Sequence, residues 1–69
     1  MNGNTKLEIA VEIMAAKIAK CYRQGFDSES KEIRNLMNER DEMYKGNEEI
    51  VNKIIKVYGQ ELKKDYLKI

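Results

Sequence analysis

The chain has 69 residues, 36% of them charged with a formal net charge of +1, and contains one cysteine, no histidine and no proline. That length allows a single domain, which buries only about 60% of the surface its unfolded form exposes. A lone Cys21 rules out an intrachain disulfide, and without histidine the usual ligands of a zinc site and the usual neutral-pH acid–base group are missing.

The mixed charges form neither a nucleic-acid footprint nor an acidic tail. No apolar run nears the ~18 residues of a membrane span. Glu8 and Glu12 stand where a signal peptide would place its apolar centre. The expected location is therefore cytoplasmic, where a free thiol stays reduced. Abundant Lys, Asn and Ile suit an AT-rich genome, such as that of a low-GC bacterium or its phage.

Residues 1–4 are polar and read as a disordered end. Thr5-Lys6-Leu7-Glu8 fits a capping box, which opens a helix over about 5–24. At about 100° per residue its apolar positions fall on two sides. Leu7, Val11, Met14, Ile18 and Tyr22 follow one face, flanked by Ala10 and Cys21, while Ile9, Ile13 and Ala16 lie roughly opposite. Gly25 suits the left-handed position that ends a helix, with Phe26 folding back on Cys21.

A second helix is expected over about 28–45, capped by Asp27 or Ser28 and favoured by Glu29 and Glu32 in its first turn. It carries the stripe Ile33, Leu36, Met37, Met43 and Tyr44. Gly46 closes it, and Asn47 caps a third helix over about 47–68, with Ile50, Val51, Ile54, Ile55, Tyr58, Leu62, Tyr66 and Ile69 as its apolar positions. Gly59 interrupts that helix and is expected to fall away from its apolar centre. Matched lengths and short connections imply antiparallel neighbours. The expected fold is all-α, an up-down-up antiparallel three-helix bundle forming one domain over 5–69.

Ile9, Ile13 and Ala16, rimmed by Lys20, are the sharpest candidate site, a contact surface for another copy or another protein. The competing reading makes helix 1 the central stave, with both sides buried inside the bundle. Arg40 lies within the apolar arc of helix 2, where it forms a buried ion pair with Glu8 or Glu12, anchors an acidic ligand, or lays its stem over apolar surface with its head in water. Asp65, near the centre of the third stripe, reads as a solvated carboxylate. The acidic residues Glu39, Asp41, Glu42, Glu48 and Glu49 spread around their helices and read as a solvated face with no metal site.

Isolated glycines make no phosphate-cradling loop, so neither catalysis, a cofactor nor a small-molecule substrate is expected. The expectation is a protein-interaction or regulatory bundle that acts through an apolar face of helix 1 and self-associates. The alternative is a nucleic-acid-binding accessory protein using Lys17 and Lys20 of helix 1 with Lys53, Lys56, Lys63 and Lys64 of helix 3.

Overall fold

Each helix ends where the chain supplies a residue that can leave the helical conformation. The computed structural model describes residues 5–67, with side chains described as far as Lys64. The end expected at 1–4, the close of helix 3 at residue 68, and the side chains of Asp65, Tyr66 and Ile69 lie outside the described residues. Helix α1 is Thr5–Arg23 and α2 is Lys31–Tyr44. Helix α3 spans 48–67 in three stretches: α-helical Glu48–Lys53, a π-helical turn Ile54–Tyr58, and α-helical Gly59–Leu67. Among the described residues there is no strand. Thr5 is itself helical rather than the cap that the capping-box reading made it.

Two glycines build the same device twice. Gly25 has φ +104° and Gly46 has φ +92°, a region from which a Cβ would exclude most residues. The Phe26 N–H donates to the Cys21 carbonyl and the Gly25 N–H to that of Tyr22, both at 3.1 Å. At the end of α2 the Asn47 N–H donates to the Glu42 carbonyl at 3.1 Å and the Gly46 N–H to that of Met43 at 3.0 Å. Both are Schellman closures, which satisfy carbonyls the helix would otherwise leave bare. Asn47 then opens α3, its Oδ1 accepting from the Glu49 and Ile50 N–H groups at 3.1 and 3.3 Å.

Helix α2 begins three residues later than the sequence pattern implies. Asp27 Oδ1 accepts from the Glu29 N–H at 3.0 Å, and the Ser30 hydroxyl donates to the Asp27 carbonyl at 2.7 Å. These local bonds compete with the helix and hold the segment as a turn. Ser30, extended at φ −71° and ψ 150°, becomes the cap residue, although its side chain makes no capping bond.

Helix α1 lies between the other two. Lys6 reaches Asn52, Ile13 meets Gly59, and Lys17 pairs with Glu61, so α1 and α3 run in the same direction. Leu7 shares a hollow with Met43, and Cys21 shares another with Leu36, so α2 runs the opposite way. The topology is up-down-up. Helix α1 packs along the whole of α3, whereas the backbone of α2 closely approaches only the Glu48–Lys53 stretch. The result is flattened, 37 × 31 × 18 Å, with a radius of gyration of 12.3 Å against about 11 Å for a compact chain of this length.

The buried residues are Ala10, Met14 and Cys21 of α1, Ile33, Leu36 and Met43 of α2, and Val51 and Ile54 of α3. The core line of α1 thus follows Met14 and the Ala10–Cys21 flank of the first apolar face, the flank nearer Ile13. Val11 and Ile18 lie on the flank toward α2 and Ile13 on the flank toward α3, all partly buried against the core. Of the second stripe, Ile13 forms the far edge of the core arc, while Ile9 stays exposed. Cys21 is buried as a small apolar side chain with a free thiol.

The expectation for Gly59 is corrected. A Cβ there would lie 3.2 Å from Cδ1 of Ile13, so this glycine faces α1 and lets the helices approach. The turn before it is widened, with the Gly59 N–H donating to the Ile54 carbonyl. Apolar positions four residues apart drift by about 40° per step in a regular α-helix. One wide turn absorbs a residue and returns Ile54, Tyr58 and Leu62 toward α1.

Removing the glycine's backbone freedom is worth about 1 kcal/mol in a helix interior, and the crowding methyl is the movable tip of Ile13. Gly59→Ala is therefore expected to raise stability by less than that amount. In an Ile13→Val background, which lacks Cδ1, the gain approaches the full ~1 kcal/mol. Denaturant unfolding of the four proteins checks the coupling; equal gains in both backgrounds would show that the contact exerts no strain.

Candidate protein-binding surface

Three kinds of surface surround α1. Toward α3 its charges are paired. Lys17 Nζ donates to both oxygens of Glu61 at 2.9 and 2.7 Å, and Lys20 Nζ donates to Oε2 at 3.0 Å. Lys17 Nζ also sits 5.3 Å from the centre of the Tyr58 ring, and Lys53 Nζ lies 5.7 Å from it. The Tyr58 hydroxyl donates to Glu39 at 2.6 Å, and Glu39 also pairs with Lys53. Glu39 and Tyr58 thereby join α2 to α3 where their backbones have separated, beside an open cleft of about 280 Å³.

Burial pushes the Glu61 carboxyl upward, but the hydrogen bonds and charges of Lys17 and Lys20 outweigh it and hold it below its ordinary range. Burial, and then the hydrogen bond to Glu39, raise the Tyr58 hydroxyl well above the usual 10.0.

Toward α2 the surface is apolar. A shallow groove of about 350 Å³ is lined by Val11, Ala15, Ile18, Ala19 and Tyr22 of α1 and by Arg40, Met43 and Tyr44 of α2. Tyr22 is 43% exposed and Tyr44 59%. Arg40 Nε is fully buried without a hydrogen-bond partner. Of the readings of Arg40, the ion pair with Glu8 or Glu12 is not formed among the described residues. Helix α2 packs against the flank of α1 carrying Val11 and Ile18, while Glu8 and Glu12 project further round the helix and are exposed. The stem of Arg40 instead helps to wall the groove.

The third surface faces outward. In order along α1 it carries Glu8, Glu12, Ala15, Ala16, Ala19 and Arg23, all exposed except the half-buried Ala16. No ion pair is made by Glu8, Glu12 or Arg23 among the described residues. The four residues singled out by the sequence divide here. Ile9 is 45% exposed. Ile13 and Ala16 are half-buried and line a second shallow groove, about 400 Å³, with Glu12, Gly59, Leu62 and Lys63. Lys20 is held by Glu61. The α1–α2 groove has a signal in the sequence, since Ala15 and Ala19 leave a gap one turn apart between larger apolar residues.

Among the described residues no cluster of acidic, cysteine or histidine side chains could hold a metal ion, and no helix is long and apolar enough to cross a membrane. Comparison with protein-family models, curated proteins and solved structures finds no match to this chain.

A carboxylate whose folded pKa is lowered stabilises the fold above its unfolded pKa, and that contribution is lost as pH falls through the folded value. Glu61→Gln should therefore cost about 0.5–1 kcal/mol at neutral pH, the pair being partly exposed, and progressively less below about pH 4. Parallel denaturant titrations at several pH values check this, and a pH-independent cost would contradict it. Tyr58 has the opposite sign. Its raised folded pKa means full stabilisation below pH 10.0, lost as pH rises beyond it. Tyrosinate absorbance should show one tyrosine resisting ionisation in the folded protein, a feature absent from Tyr58→Phe.

Proposed function

We propose that this chain is a small helical module that binds protein through the outer face of α1 and the apolar grooves beside it. One observation carries the reading. The exposed middle of the central helix is alanine rather than charge, with large apolar side chains uncovered on either side, namely Ile9 on one flank and Tyr22 with Tyr44 on the other. Contiguous exposed apolar surface on a small protein marks an interaction site more often than it occurs by chance. A partner helix laid along α1 would meet a low ridge between two apolar furrows, with Glu8 and Glu12 at one end and Arg23 at the other. The mechanism is docking, with no catalytic step and no cofactor, and the free buried thiol of Cys21 suits the cytoplasm.

The alternative of a nucleic-acid accessory protein has less support. Lys17 and Lys20 are committed to Glu61 and Lys53 to Glu39, which lowers the positive charge available to phosphates. Retention on heparin or DNA that falls steeply with salt would favour that alternative.

A photo-crosslinking amino acid placed at Ala19, with the exposed Asn38 of α2, which lines neither groove, as control, tests the docking reading in cells of the native host. A covalent protein adduct is expected from position 19 and not from position 38. Adducts at neither position, or equally at both, would sink the reading.

A further inference from the structure

We propose that a second copy of this chain covers the outer face of α1, the two α1 helices lying antiparallel about a two-fold axis level with the Ala15–Ala16 bond. This rests on the reading of α1 as a binding surface and names its occupant.

The argument is one of self-complementarity. Glu8 and Arg23 stand at equal distances on either side of that level, about 22 Å apart along the axis, and both project from the outward side of α1. They are exposed, and neither makes an ion pair among the described residues. A two-fold axis at this level sets Ala15 opposite the partner's Ala16, Glu12 opposite the partner's Ala19, and Glu8 opposite the partner's Arg23. Because the interface is isologous, each pairing occurs twice. A parallel arrangement would instead set Glu8 against Glu8 and Arg23 against Arg23. The charges therefore select the antiparallel pair, and their spacing selects its register.

Packing agrees with the charges. Small side chains at Ala15, Ala16 and Ala19 allow the helix axes to approach to about 8 Å, the close end of the usual range. At that separation the flanks also meet. The side carrying Ile9 and Ile13 faces its own symmetry mate, as does the side carrying Val11, Ile18 and Tyr22. A stable interface takes about 800 Å² from each partner, on the order of one-sixth of the 5183 Å² surface. A ridge about 28 Å long with a groove on each side can supply an area of that order. The gain falls where the protein is poorest, since the buried core is limited to the residues around Met14, Ile33, Met43 and Ile54.

Sedimentation velocity on the purified full chain, from micromolar to about millimolar concentration, reads the association directly. The expected result is a monomer–dimer equilibrium. Glu8→Arg and Arg23→Glu should each raise the dissociation constant about tenfold, since each turns two attractions into repulsions. The double variant should return to within about threefold of the parent. Ala19→Arg should give a monomer of unchanged helicity, confirming that the exposed position serves association and not folding.

A chain monomeric throughout the range overturns the proposal. So does a dimer indifferent to Ala19→Arg, or single charge reversals that the double variant does not rescue. If the chain is monomeric while position 19 still crosslinks a different protein in cells, the docking reading stands and the self-pairing falls. If position 19 crosslinks nothing, both fall together.

Discussion

Met14, Ile33, Met43 and Ile54 are withdrawn almost completely from water, and they can meet only because α1 lies between its two neighbours. Burying side chains of this size is worth about 1.5–3 kcal/mol each, and a chain of 69 residues has few other sources of stability. Ala10 makes the arrangement possible from within. It is completely buried beside Met14, and its small size leaves room for long side chains arriving from both sides. The other features of the fold follow from this constraint. Two partners widen the apolar arc of α1, and the core flattens because α2 and α3 meet closely only at one end.

The separation of α2 from α3 explains the polar chemistry on that side. Where the backbones diverge, Tyr58 reaches across to Glu39, Lys53 joins the same carboxylate, and Lys17 covers the ring from α1. Lys17 also reaches Glu61, which shares its charge with Lys20. Such a network suits a half-wet seam that an apolar side chain would have to bridge alone. The phenol spans the gap with an aromatic body and finishes it with a hydrogen bond to a charged acceptor. The π-helical turn Ile54–Tyr58 aims that ring, so the irregularity in α3 serves both the core and the seam.

Much of this was legible in the sequence. Gly25 followed by Phe26 and Gly46 followed by Asn47 marked both closures, because only a residue tolerant of positive φ can occupy those positions. Three helices and their order followed from those stops. The start of α2 was less legible because Asp27, Ser28 and Ser30 all offer capping oxygens, and the local bonds of Asp27 decided among them. Gly59 was misread because a wheel drawn at a constant 100° per residue has no place for a wide turn. After that turn the glycine points toward Ile13 rather than away from it. The candidate surface was legible as a surplus of apolar residues on α1, but assigning them needed the third dimension. Ile13 belongs largely to the packing, Ile9 remains open, and the alanines between the flanks emerge as the exposed ridge.

That ridge is a consequence of the architecture as much as of the residues on it. In a triangular bundle each helix turns a narrow solvent face outward, and long charged side chains commonly cover it. Here α1 is the middle of a flattened three-helix layer, so its outer face is bordered by furrows along both neighbours. Lysine or glutamate at positions 15, 16 and 19 would have closed those furrows with their methylene stems, as Arg40 does on one wall. Alanine leaves them open while keeping the highest helix propensity. Glu8 in the first turn and Arg23 in the last also suit the dipole of α1 itself, so it is the alanines between them, more than the end charges, that set this face apart. The choice follows naturally if the flattened layer is half of a thicker structure, in which α1 is central once more.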